Sequence, residues 1–223
     1  MAKAKAVMSW SGGKDSAMAL ERALAGPGVE VVGLLTTLSE EHERISIHGV
    51  RRELLDAQVT ALGLPLMAVP LPTSCSNDEY DARMGAMLRR CKAEGITHVV
   101  HGDIFLADVR RDRERNLASV GVGALFPLWG EDTAPLARNF VDRGYVAHVV
   151  CVDTTMLDPS FSGRAFDHDF LNDLPAGVDP CGENGEFHTF VSAGPLLARP
   201  MTVRTGRSVL REGRFQFTDL LPA

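Results

Sequence analysis

The stretch Ser11-Gly12-Gly13-Lys14-Asp15-Ser16 puts two glycines, a cation, a carboxylate and two hydroxyls into consecutive positions. An apolar segment, Ala4 to Trp10, runs into it, and Met18, Leu20 and Leu24 follow at helical spacing, so the string occupies a strand-to-helix turn. Glycine lets the backbone approach an anion closely and permits positive φ. The first turn of a helix adds unpaired N–H groups with the positive end of the dipole behind them. Lys14 contributes a point charge, Ser11 and Ser16 contribute hydroxyl donors, and Asp15 can hold a magnesium ion bridging phosphate oxygens. The string reads as a phosphate-binding turn of neither common type, with a glycine-rich turn that only caps the helix as the alternative. Met8 and Asp15 stand where a Walker A loop needs a glycine and a hydroxyl residue, and no G-x-G-x-x-G spacing occurs.

A second concentration of ionisable groups lies between Gly177 and Thr189, where Gly182, Glu183, Asn184, Gly185, Glu186, Phe187, His188 and Thr189 follow Asp179-Pro180-Cys181. Glu183 and Glu186, three residues apart, could grip an amine or ammonia, coordinate a metal or act as a general base. A merely solvated turn would not need this density of charge. Nothing beside Cys181 in sequence would lower its thiol pKa, so it is not read as a nucleophile. His48 is a candidate to face a nucleotide, with a structural histidine as the alternative. The odd spacing of His98 and His101 sends them to opposite faces of a strand, and no zinc pattern occurs.

These groups must be positioned by the rest of the chain, which alternates apolar strands with helices. Strands are expected at Ala4 to Trp10, Val29 to Thr36, Pro65 to Val69, Ile96 to His101 and Val146 to Val152. Helices are expected after the first turn to Gly26-Pro27, over Val50 to Leu62, about Asp78 to Glu94, Asp108 to Asn116 and about Thr133 to Arg143. Five such strands argue an α/β, doubly wound parallel sheet covered on both faces. After about Asp153 the chain turns rich in Gly, Pro, Asp and Phe. The expected organisation is therefore one domain over residues 1–153, carrying the glycine-rich turn, and a smaller C-terminal part over 154–223. Phe161, Phe166, Phe170 and Phe187 are expected to build the core of the latter.

The 223 residues carry 23 basic and 29 acidic side chains, a net charge of -6 that opposes the broad phosphate-backbone footprint of nucleic-acid binders. No apolar run reaches the roughly 18 to 20 residues that span a bilayer, and the opening residues alternate Ala with Lys rather than form a signal-peptide core. Four scattered cysteines give no framework of disulfides. A cytosolic protein is expected, with self-association left open.

In its strand and helix context, the Ser11 to Ser16 string resembles the pyrophosphate-binding loop of the N-type ATP pyrophosphatases. That resemblance implies a sheet of order 3-2-1-4-5, of the adenine nucleotide alpha hydrolase (HUP) kind, with strands one and four side by side and a crevice at their carboxyl ends. His101-Gly102-Asp103 would then fall opposite the loop, with Gly102 keeping the crevice open. Asp103 would bind magnesium or order the nucleotide, or else cap the next helix. An arginine from Asp108 to Arg115 could meet a developing phosphate charge, although Asp108 with Arg111 and Arg110 with Glu114 are also spaced as neighbours on a solvated face.

Taken with Gly182 to Thr189, the whole pattern is similar to the diphthine ammonia ligase family of these enzymes. The resemblance implies that ATP, with Mg2+, is bound by Ser11, Gly12, Gly13, Lys14, Asp15, Ser16, His48 and Gly102. Asp15 and Asp103 would be the metal ligands and, with Glu183 and Glu186, the catalytic carboxylates. Glu183, Asn184, Gly185, Glu186 and Thr189 would bind the acid, either diphthine-like or a small molecule. The carboxylate would be adenylated with release of pyrophosphate, and ammonia would displace AMP to leave an amide. Two rivals share the first motif. One is a tRNA-modifying enzyme, opposed by the acidic balance and the lack of a reactive cysteine pair. The other is a non-catalytic nucleotide sensor, which would leave the second motif unused.

Overall fold

A computed structural model describes residues 3–46 and 48–223. In chain order the elements are β1 (Ala4–Ser9), α1 (Lys14–Ala25), β2 (Val29–Ser39), β3 (Arg44–Ile45), α2 (Arg52–Leu62), β4 (Leu66–Leu71), α3 (Asn77–Ala93), β5 (Ile96–Val100), α4 (Ala107–Ser119) and β6 (Gly123–Leu125). They continue with α5 (Thr133–Asp142), β7 (Val146–Asp153), one 3-10 turn (Pro159–Phe161), α6 (His168–Asp173), β8 (Phe187–Ala193), β9 (Val203–Arg211) and β10 (Phe215–Pro222). Contacts group the chain into two compact units. The first holds the segment up to Ser11, Asp15–Glu43 and Leu64–Trp129; the second holds Gly12–Lys14, Arg44–Gly63 and Gly130–Ala223. Gly130 to Asp153 thus groups with the C-terminal residues rather than with the opening ones.

In the first unit β4, β2, β1, β5 and β6 pair in that order, every pair parallel. Numbered along the chain, these strands stand 3-2-1-4-5, the order expected. The apolar run that opens the chain becomes the central strand because it can be buried on both faces: Ala6, Val7 and Met8 are each 0% exposed. One face is closed by α3 and α4 around Val7, Leu35, Val69, Leu88, Val99 and Leu117. The helices begin and end where their side chains dictate. Ser76 accepts from the Glu79 amide to cap α3, and Gly26 N–H donates to Arg22 O at 3.0 Å past the end of α1.

The fifth parallel strand is a correction. It is Gly123–Leu125, where no strand was expected, while Val146–Asp153, expected as the fifth, lies in another sheet. Apolar, β-branched residues mark a buried strand without saying which strand lies beside it, and three residues are too short for any periodicity.

The second unit carries an antiparallel sheet ordered β8-β7-β10-β9. The expected phenylalanine core is present: Phe166, Phe170 and Phe187 are buried, with ring centroids 5.2 Å apart for Phe166 and Phe170 and 5.2 Å for Phe170 and Phe187. Phe161 joins it edge-on at 5.6 Å from Phe170. The segment around His48 is stapled to β10, since Asp219 accepts from Arg44 at 2.9 Å and from Arg51 at 2.6 Å. Those two guanidinium groups hold the Asp219 carboxyl below its ordinary pKa against the opposing effect of burial. No helix among the described residues is long and apolar enough to cross a membrane.

Candidate functional site

In the first unit, β1 and β5 lie side by side with Met8 opposite Val100, so Ser11 and His101-Gly102-Asp103 both leave the sheet at its carboxyl edge. Ser11 Oγ donates to Ser16 Oγ at 3.2 Å, folding the turn back on the start of α1, where Asp15 occupies the first helical turn. Gly102 meets that turn directly. A Cβ there would stand 2.9 Å from the Asp15 carbonyl carbon and 3.1 Å from the Ser16 nitrogen, so only glycine lets the end of β5 reach the start of α1.

Asp103 does not cap α4. The cap position is Leu106, which has no side-chain cap bond, and the Asp103 carboxylate faces Arg113 Nε at 2.8 Å. His101, 6% exposed, lies 4.0 Å from the same carboxylate, stacks on Phe126 at 5.4 Å, and has no hydrogen-bond partner on either ring nitrogen. Burial, with Arg113 nearby, pushes its pKa down to about 3, so the ring is neutral at pH 7. The charged face of α4 is only partly a solvated one. Arg110 pairs with Glu114 at 2.8 Å as expected, yet its guanidinium also lies over Phe126 and Trp129, 4.9 and 4.6 Å from their centroids.

In the second unit, Gly12, Gly13 and Lys14 lie against β8. Gly12 O accepts from Val191 N at 2.9 Å and from Gln58 Nε2 at 3.0 Å, and Gln58 Nε2 also donates to Val191 O at 2.7 Å. A side chain on Gly13 would place its Cβ 2.9 Å from Thr189 O, so glycine is required there too. The Lys14 amide donates to Thr189 Oγ1 at 3.1 Å, and the Lys14 ammonium donates to the Cys181 carbonyl. One of the backbone amides expected to face phosphate is thus already engaged. His48 Nδ1 lies 3.2 Å from Thr189 O, and its ring is 4.6 Å from that of His188. Desolvation takes the two rings down to about 4 and about 3, respectively.

The acidic segment of that unit is folded around one carboxylate. Glu186 is 1% exposed; its Oε1 accepts from the Asp179 amide at 3.0 Å and from Asn184 Nδ2 at 2.9 Å. Its Oε2 is buried with no hydrogen-bond partner. Asp179 organises the turn by accepting from Cys181 N at 3.1 Å and Glu183 N at 3.4 Å. Glu183 and Gly185 are half-buried, Asn184 is exposed, and Thr189 is buried. A carboxylate oxygen withdrawn from water without a donor is costly, and such an atom marks a place for an incoming N–H or cation.

The pattern described as diphthamide synthase N-terminal domain matches residues 4–123, and that described as diphthamide synthase C-terminal domain matches residues 132–217. The chain belongs to the diphthamide synthase family. Proteins named diphthine–ammonia ligase are its relatives: the rat protein is 27% identical and the human one 25%, each over 90% of this chain and 83% of its own length. The zebrafish protein is 26% identical over 90% of this chain and 86% of its own.

Within this family framework, three residues that the sequence reading passed over now stand out. Gln58 is 0% exposed and clamps the Gly12 backbone. It falls in step with Leu54, Leu55 and Ala61 on the buried face of α2, so a polar residue in an apolar stripe was the available signal. Asp179 and Arg113 had weaker signals, an Asp-Pro step and one arginine among several. Asp15 and Asp103 are in the same unit, but among the described residues no three His, Cys, Asp or Glu side chains gather to hold a metal. Any magnesium there would be held by one or two carboxylates plus the phosphates it accompanies, the usual mode for this ion.

Proposed function

We propose that this protein is an AMP-forming ligase that joins ammonia to a carboxylate, with diphthine or a smaller acid as acceptor. The observation that carries the reading is the Oε2 of Glu186, buried and undonated while its partner oxygen has two donors. An ammonium or amine N–H supplies what that atom lacks, and the relatives carry both diphthine and ammonia in their names. The tRNA-modifying and sensor readings have no comparable observation behind them.

In the proposed reaction, an oxygen of the acid attacks the α-phosphorus of ATP, and the bond to the β-phosphate breaks to release pyrophosphate. Ammonia then attacks the acyl carbon, AMP departs with the electrons of the C–O bond, and the nitrogen loses a proton. Glu186 Oε2 is the proposed holder of the ammonia and acceptor of that proton, with Glu183, Asn184, Gly185 and Thr189 around the acid. Ser11, Gly12, Gly13, Asp15 and Ser16 of the opening turn, with Gly102 and His48, are the proposed nucleotide ligands. Asp15 and Asp103 would hold Mg2+, which supplies charge neutralisation at the phosphates when bound. Cys75, Cys91, Cys151 and Cys181 form no disulfide with one another, which suits a cytosolic enzyme.

The substitution Glu186→Gln keeps shape and removes the charge. Turnover is expected to fall by about 10² or more, while ATP affinity measured by calorimetry stays within about threefold. Unchanged turnover would remove Glu186 from the reaction.

A further inference from the structure

Lys14 is the cation that the phosphate-binding turn would be expected to offer its anion, yet its ammonium is directed at protein. The residue is 2% exposed, and its Nζ donates to the Cys181 carbonyl while lying 5.7 and 5.6 Å from the centroids of Phe166 and Phe187. Its own amide donates to Thr189 Oγ1 at 3.1 Å. Backbone and side chain are therefore both held by the segment that carries the acidic groups. A buried ammonium is tolerated where a carbonyl dipole and aromatic faces replace its water, and here both do.

The grip continues beyond Cys181. Cys181 N donates to Asp179 Oδ1 at 3.1 Å, and Asp179 N donates to Glu186 Oε1 at 3.0 Å. A path of three hydrogen bonds, passing through the Cys181 backbone and through the side chain and amide of Asp179, joins the Lys14 ammonium to the Glu186 carboxylate. We propose that Lys14 is a positioning residue for the acid and ammonia side, holding the Asp179 to Glu186 turn so that Oε2 stays where an incoming N–H meets it, and that it is not a ligand of the phosphates. The inference rests on the ligase reading of Glu186 and reassigns the one lysine of the opening turn.

The substitution Lys14→Met keeps a flexible apolar stem over the two rings and removes the donor. By calorimetry its affinity for ATP is expected to stay within about threefold of the parent. Amide hydrogen exchange over residues 179–186 is expected to speed up by about tenfold, with global unfolding little changed. With protein-borne diphthine and ammonium chloride, KM for diphthine is expected to rise by about tenfold while KM for ATP stays within about threefold, a split that general loss of stability would not produce. Lys14→Gln, a neutral residue that can still donate to the carbonyl, is expected to show exchange between parent and Lys14→Met, and it keeps the test alive if the methionine variant fails to fold. A loss of ATP affinity of about a hundredfold in either variant, with exchange over 179–186 unchanged, would overturn the proposal. If the parent itself fails to bind ATP, the ligase reading falls, and the exchange measurement alone decides whether Lys14 holds the turn.

Discussion

At the scale of single residues, the candidate site is built from polar groups that the interior has stripped of water and then satisfied unevenly. Glu186 and Lys14 were visible in the sequence because ionisable residues crowd around them, and Thr189 because it closes the same string. Gln58 was not, since an amphipathic helix hides one polar residue on its inner face. Its Nε2 bridges Gly12 O and Val191 O, so Gln58→Leu, of similar size, removes both bonds inside the protein. The expected loss is about 1–3 kcal/mol, read as a lower urea midpoint at unchanged m-value. A midpoint equal to the parent's would mean that the clamp on the opening turn contributes nothing. The role of Asp103 was open on sequence alone because aspartate is equally at home as a helix cap; the Arg113 contact at 2.8 Å, a tertiary pairing, could not be read from spacing.

At the scale of elements, the sequence was most legible where strands are long and fully buried. β1, β2, β4 and β5 fall close to their expected places, and the parallel order follows. β6 was missed because Gly123–Leu125 offers three residues and a glycine, and β7 was given to the wrong sheet because burial on both faces looks the same in parallel and antiparallel company. The junction of β5 with α1 depends on the absence of one side chain. Gly102→Ala would press a carbon to 2.9 Å from the Asp15 carbonyl carbon, and neither backbone can yield without moving its element. A stability loss of about 1–3 kcal/mol is expected, together with weaker ATP binding by calorimetry. An alanine variant that matches the parent in both measurements would show that this close approach does not shape the turn.

At the scale of the whole molecule, buried neutral histidines set the response to acid. His101 and His188 are pushed down to about 3 and His48 to about 4, chiefly by burial, and burial lowers His148 as well. Each takes up its proton near pH 6.5 when the chain unfolds and refuses it while folded, so stability is nearly flat from about one pH unit above that value and falls as the pH drops through about 6.5 toward 4 and 3. The slope is up to about 1.4 kcal/mol per pH unit for each ring. Asp153 extends the decline: hydrogen bonding from Arg214 holds it down to about 2, and that contribution is lost as pH falls from its ordinary value near 3.8 through 2. Urea denaturation at about pH 8.0, 7.5 and 5.0 should show nearly equal stability at the first two and a clear loss at the third, since only the third lies below the ordinary histidine pKa of about 6.5. Equal stability at all three would contradict the neutral state of these rings. The composition, with a net charge of -6, argues against a nucleic-acid enzyme. Product analysis tests the proposed chemistry most directly. Purified protein with ATP, magnesium chloride, ammonium chloride and protein-borne diphthine, or a panel of small carboxylic acids, is expected to release AMP and pyrophosphate in equal amounts, with a new amide on the acid. ADP and inorganic phosphate in their place would contradict it.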